Sequence, residues 1–287
     1  MKLCQSCATT FDTTTWRCPH CGNEPSILAG FPSFAPGLSS DEGFEDTYFH
    51  NLVEFEARNS WFRSRNKLIL WALKRYFTSA KNFLEIGCGT GFVLSGVATA
   101  GSELKLSGSE ISSAGLAYAA KRVPSANFFQ MDARAIPFVD EFDVIGAFDV
   151  LEHIEDDETV LRQMHQATRP GGGIVLTVPQ HAFLWSRADD HAHHVRRYAA
   201  RDLINKVVSA GFRVERVTSF VSLLLPLMMA SRARQPISKE QFDPLTELKI
   251  GRFSNAILEK IMNIEYLAIK AGLNLPAGGS LLLIARR

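Results

Sequence analysis

Three groups of residues in the 287-residue chain have the types and spacing to do chemistry. The first is four cysteines in two pairs, Cys4-x2-Cys7 and Cys18-x2-Cys21. Four thiolates in two knuckles give the number and spacing of a closed tetrahedral zinc site. Four soft ligands leave no open position, so the ion is expected to be structural, with His20 outside the ligand set. Arg17, Pro19, His20 and Gly22 complete a turn whose backbone N–H groups can stabilise sulfur charge. A head this small cannot form its own core and needs the ion to fold. What the head binds stays open between nucleic acid, a protein partner and packing alone.

The second group is L-E-I-G-C-G-T-G at residues 84–91, at the end of an apolar strand. Gly87, Gly89 and Gly91 let the backbone turn tightly and approach a ligand where a Cβ would clash. Glu110 closes the next strand, where a carboxylate can accept hydrogen bonds from two ribose hydroxyls. The loop alone does not name the nucleotide, because nicotinamide enzymes use a related one. The third group is W-S-R-A-D-D-H-A-H-H-V-R-R-Y at residues 185–198. Histidine titrates nearest neutrality, so His194 is the first candidate for a general base and His191 the second, with Tyr198 beside them. A second metal site, or a polar loop tied by Asp–Arg pairs, accounts for the same letters.

The elements that must position these residues read as alternating strands and helices. Strands are expected at NFLEI, ELKLSGSE, NFFQMD, FDVIGAFDV and GGIVLTVP, with helices at about 156–168, 199–210 and 245–271, and SLLLIARR as a closing strand. Such alternation predicts a doubly wound α/β fold, a Rossmann-like sheet with right-handed crossovers and helices on both faces. Phe55, Trp61, Phe62, Leu68, Ile69, Leu73 and Phe77 recur at helical spacing ahead of the first strand. The expected organisation is a zinc ribbon head at 1–24, a Pro/Gly/Ser linker at 25–43, a helical cap at 44–80, and an α/β domain at 81–287 whose segment at about 182–275 covers the substrate.

With 31 Lys plus Arg against 30 Asp plus Glu, the formal charge is +1, and no global field draws the chain to nucleic acid or an anionic membrane. The start of the chain lacks the apolar core of a secretory signal, and the apolar run at 220–230 is too short to span a bilayer. A cytoplasmic protein is the expectation, and a reducing compartment favours metal over disulfides.

E-I-G-C-G-T-G, then Glu110, then M-D-A at 131–133, together with FDVLEHIED and RPGGGIVLTVP, resembles the motif set of class I S-adenosylmethionine-dependent methyltransferases of the type 11 branch. The resemblance runs from about residue 44 to the end. It implies that Gly87, Gly89 and Gly91 hold the methionine part of S-adenosylmethionine, that Glu110 binds the ribose, and that Asp132 reaches the adenine amine with backbone help from Ala133. It also implies cofactor contacts at Glu85, Cys88, Ile111, Phe148 and Asp149. Trp61, Phe62 and Arg65, in the segment NSWFRSRNKLI, would lie over the cofactor, with Arg65 pairing the methionine carboxylate. His153 would be a structural or cofactor-shell residue.

The activity implied is methyl transfer to oxygen or nitrogen of a small-molecule or lipid-like acceptor, with Met228 and Met229 as adaptable wall material or part of a buried helix. Two alternatives stay open: an RNA base methyltransferase whose zinc head grips RNA, and a non-catalytic cofactor-binding scaffold.

Overall fold

The computed structural model describes residues 1–39, 46–100, 103–233 and 250–287. Two short antiparallel strands, β1 (Lys2–Leu3) and β2 (Thr10–Phe11), open the cysteine head. Next comes a hairpin of β3 (Ser26–Leu28) and β4 (Phe31–Ser33), turned through Ala29 and Gly30 at positive φ. Residues 25–43 were expected to be a linker, yet this hairpin extends the central sheet, with β4 running parallel to β7 (Asn127–Gln130) at Ser33 and Gln130.

Helix α1 (Asp46–Glu56) precedes α2 (Ser60–Tyr76), whose start is fixed by the Asn59 side chain accepting from Trp61 N at 2.9 Å. Beyond them the alternation is regular: β5 (Asn82–Ile86), α3 (Phe92–Thr99), β6 (Lys105–Glu110), α4 (Ser113–Arg122), β7 and β8 (Phe142–Phe148). Then follow α5 (Asp157–Ala167), β9 (Thr168–Pro179), α6 (Arg187–His191), α7 (Ala200–Ser209) and β10 (Arg213–Phe220). The chain closes with α8 (Leu225–Ala233), α9 (Arg252–Lys270) and β11 (Ser280–Arg286). The helix expected from about 245 has its first residues outside the described ones.

Among the described residues the main sheet has the order β10-β11-β9-β8-β5-β6-β7-β4-β3. Strands β5 to β9 pair in parallel, while β11 is antiparallel to both neighbours. The chain winds outward from β5 through β6 and β7, then returns to β8 on the other side. That reversal opens a crevice at the carboxyl ends of β5 and β8, the place where such sheets take ligands. The central strands are buried on both faces, so β9 and β11 read as continuous apolar runs, Ile174 to Leu176 and Leu281 to Ala285. Leu161, Met164, Leu203 and Val207 from α5 and α7 pack one face, and Ile69, Leu94, Leu116 and Met262 from α2, α3, α4 and α9 pack the other.

No helix covers the connection from β7 to β8. The cysteine head fills that place. Trp16 wedges among Phe34, Phe129 and Phe138, with ring centroids 4.6, 5.7 and 5.4 Å away. Leu3 N donates to Pro137 O at 2.9 Å, and the Met1 ammonium pairs with Glu141 at 2.5 Å. The head borrows a core from the domain instead of building one.

The apolar run at 220–230 divides. Phe220 and Val221 end β10 in the core, whereas Leu223, Leu227 and Met229 are exposed around α8. Among the described residues no helix is long and apolar enough to cross a membrane.

Candidate active site

The loop after β5 holds Gly87, Gly89 and Gly91 at φ of +64°, +49° and +74°, a region that side-chain-bearing residues rarely adopt. A Cβ on Gly87 would stand 2.5 Å from Val150 Cγ2, and one on Gly91 3.0 Å from the Ala119 backbone. At Gly89 nothing lies within 4 Å, so the loop presents bare backbone to open space.

Glu110 ends β6 beside this loop. Its carboxylate accepts N–H groups of Gly89 at 2.9 Å and Ile111 at 2.8 Å, which fixes the acid before any ligand arrives. Burial pushes its pKa up, and those N–H groups pull it back. Behind it, the buried Gln130 amide donates to Ile111 O at 3.0 Å and to Ala35 O at 2.8 Å, while its oxygen accepts from Ser33 Oγ at 2.7 Å. The hairpin at the sheet edge therefore buttresses the turn that carries Glu110.

Asp132 follows β7 on the same side of the sheet, with its carboxylate engaged by Arg134 at 2.8 Å and Ala133 buried next to it. Asp149 follows β8 at φ +57°, accepts from Thr177 Oγ1 at 3.3 Å and pairs with Arg65. Arg65 comes from α2, and its guanidinium lies 4.5 Å from the Trp61 ring centroid and 5.6 Å from that of Phe62. The helical cap and the strand ends thus meet at Asp149. Cys88 and Phe148 point into the core: Phe148 fills the space over Gly146 and Cys88 lies against Gly108. Only their backbone can face a ligand.

Two buried groups at this meeting point lack partners. Arg65 Nε has no acceptor and Glu85 Oε2 no donor. Burial pushes Glu85 up to about 8, against the pull of Arg65. A buried cation with a spare donor and a buried carboxyl with a spare acceptor fit a ligand bearing both a carboxylate and an ammonium, as the methionine part of S-adenosylmethionine does. Glu85 also predicts a pH effect. Its folded pKa exceeds the usual 4.5, so without ligand the stability it contributes is complete below about pH 4.5 and falls as pH rises toward 8. Thermal melts across that range are expected to show this slope, and Glu85→Gln to flatten it.

The histidine-bearing segment folds onto the same side. Asp189, buried at the start of α6, accepts from Ser186 N at 2.8 Å, from His194 Nδ1 at 2.8 Å and from Arg197 Nε at 2.7 Å. Burial would raise its carboxyl, but the His194 and Arg197 bonds hold it well below the usual carboxylate range. Val195 N donates to Glu152 O at 2.8 Å and ties the segment to the 3-10 turn Leu151–His153. His194 meets His153 edge to face, with ring centroids 4.7 Å apart. Burial, aided by His194, lowers His153 to about 4 and keeps it neutral.

The other two proton-transfer candidates lie elsewhere. His191 is exposed on the last turn of α6. Tyr198 is buried, donates to Asp157 Oδ2 at 2.7 Å, and is raised far above its ordinary pKa by burial and that carboxylate. Lys206 reaches the same carboxylate at 2.6 Å. Sequence reasoning also missed Glu56, which comes from α1 to bind Thr90 of the glycine loop and Arg122 of α4. An acid at the end of a helix gives no signal that it will be buried beneath a loop 34 residues later.

In the head, Cys4 and Cys21 Sγ are 3.6 Å apart, Cys7 and Cys18 Sγ 3.7 Å, and all four sulfurs lie within 4.8 Å of one another. Zn–S bonds of about 2.3 Å in a tetrahedron put sulfurs about 3.8 Å apart, so the four thiols fit one zinc ion. His20 is not in the group.

A probable S-adenosylmethionine-dependent methyltransferase of Mycolicibacterium smegmatis is 26% identical over 160 residues, covering 55% of this chain and 61% of that protein. A ubiquinone biosynthesis O-methyltransferase of Pseudomonas aeruginosa is 29% identical over 113 residues, 37% of this chain and 48% of that protein. The chain thus spans between about half and three-fifths of the length of these curated relatives. Among solved structures, phosphoethanolamine N-methyltransferase 2 of Haemonchus contortus, in complex with S-adenosyl-L-methionine, superposes with a TM-score of 0.57 at 20% identity, covering 90% of this chain and 60% of that one. The [4+2]-cyclase SpnF superposes with a TM-score of 0.53 at 19% identity, covering 80% and 84%, so likeness at this level speaks for the fold alone. The model of the methyltransferase domain family matches residues 56–217, from the end of α1 through most of β10, and the chain belongs to that family.

Proposed function

We propose that the protein transfers a methyl group from S-adenosylmethionine to an oxygen or nitrogen of a small-molecule or lipid-like acceptor. The observation that carries the reading is that Arg65 Nε and Glu85 Oε2, both buried near the glycine loop and Asp149, have no hydrogen-bond partner. S-adenosylmethionine supplies a methyl group on a sulfonium. Glu110 is aimed at its ribose, Asp132 at its adenine amine, and Arg65 and Glu85 at its amino-acid end.

On the acceptor side stands His194. Asp189 holds Nδ1, so the lone pair of a neutral ring lies on Nε2, and a ring nitrogen of His194 lies within 4.8 Å of ligand atoms of Glu152 and His153. Phe183, Leu223, Leu227 and Met229 are exposed on the turn after β9 and around α8, at the same carboxyl edge of the sheet. Apolar surface there favours an acceptor with a hydrocarbon part. His194→Gln is expected to lower the turnover number by 10²–10⁴-fold while the dissociation constant for S-adenosylmethionine stays within about twofold. The decisive test supplies methyl-labelled S-adenosylmethionine with fractionated cell extract and follows label into a product by mass analysis. Label transfer lost in the Arg65→Ala protein supports the reading. Cofactor binding with no transfer to any fraction supports the scaffold alternative, and transfer into RNA supports the nucleic-acid one.

A further inference from the structure

One buried cluster has no role in holding the methyl donor. Glu152 has 0% of its surface exposed, and neither carboxylate oxygen has a hydrogen-bond partner in another residue. A buried carboxylate left so is costly and calls for a compensating charge. The nearby cations are already committed, Arg65 to Asp149 and Arg197 to Asp189. Beside Glu152 stand His153 and His194, and one ligand atom from each of the three lies within 4.8 Å of the others. Both histidines have one ring nitrogen tied back, His194 Nδ1 to the Asp189 carboxylate at 2.8 Å and His153 to the backbone of Ala192. Metal-ligating histidines are oriented in this way, a carboxylate or carbonyl fixing one ring nitrogen while the ring coordinates through the other.

We propose that Glu152, His153 and His194 bind a divalent first-row transition-metal ion beside the donor pocket, separate from the zinc of the cysteine head. Two imidazoles and one carboxylate favour such an ion over magnesium or calcium, which prefer oxygen ligands throughout. Three protein ligands leave positions open. Bonds of about 2.1 Å place ligand atoms about 3.4 Å apart in a tetrahedron, so the three atoms, now within 4.8 Å of one another, close up by about 1.4 Å at most, within reach of side-chain rotation. The ion's role rests on the proposed function. An open position can take an oxygen of the acceptor, lower the pKa of its hydroxyl and let the proton leave to solvent. His194 then serves as a ligand instead of taking the proton itself.

The test counts metal. The full chain is equilibrated with micromolar Zn²⁺, freed of unbound ion by gel filtration and analysed by plasma emission. Two zinc ions per chain are expected, falling to one in Glu152→Gln and to one in His194→Gln. Retention of that one zinc and of S-adenosylmethionine binding shows that each variant is folded. The double variant His191→Ala/His193→Ala, which removes exposed histidines of the same segment, is expected to keep two. One zinc in the parent chain, two in both site variants, or loss of the second ion in the loop variant overturns the proposal. Donor affinity is measured separately by calorimetry, so failure of the metal site and failure of the methyltransferase reading give different results.

Discussion

Replacing Glu110 with alanine is expected to raise the dissociation constant for S-adenosylmethionine about 100-fold in a calorimetric titration. Hydrogen bonds from two ribose hydroxyls to a carboxylate are worth about 1.5–3 kcal/mol each, and every 1.4 kcal/mol is tenfold in affinity. The same carboxylate accepts Gly89 and Ile111 N–H, so its loss also loosens the glycine loop. Glu110→Gln keeps an acceptor but loses the charge and should fall between the two. A change below threefold in the alanine protein places the ribose elsewhere.

Removing the metal from the cysteine head is expected to lower the melting temperature by roughly 10 °C in scanning calorimetry while leaving the α/β domain folded. Structural zinc sites carry folding free energy outright. Without one the knuckles open and Trp16 leaves its place among Phe34, Phe129 and Phe138. Loss of a fully buried Trp costs about 3–5 kcal/mol, an upper bound for the partly buried Trp16, and each kcal/mol moves a chain of this size by about 2–4 °C. Tryptophan emission should shift to the red at the same time. Cys18→Ser should reproduce both changes, and an unchanged melt after chelation would mean that the head folds without metal.

What could be read from the sequence follows from the range of the interactions involved. The strands and the glycine loop are local signals: Phe83 to Ile86 are buried together, and the next residue needs a positive φ that glycine supplies. Glu110 and Asp132 followed because a parallel sheet brings every strand end to one edge. The hairpin at 26–33 was hidden because its strands are three residues long and one contains Pro32, which donates no backbone hydrogen bond to a ladder. The surroundings of Tyr198 were not legible because its partner Asp157 lies 41 residues away. A hydroxyl within a histidine-rich segment looks chemical until that carboxylate is seen to hold it. Glu152 was overlooked for the opposite reason, since an acid in a short turn ordinarily faces water, and here the segment around His194 closes over it.

The buried amide of Gln130 joins two places that the sequence keeps far apart, Ala35 in the segment after the hairpin and Ile111 in the turn behind Glu110. Any ligand that steadies Glu110 therefore also steadies the chain leading out of the cysteine head. Such coupling is reciprocal: whatever factor zinc adds to donor affinity, donor must add to zinc affinity. Amide hydrogen exchange at Phe34 and Ala35 is accordingly expected to slow when S-adenosylmethionine is added.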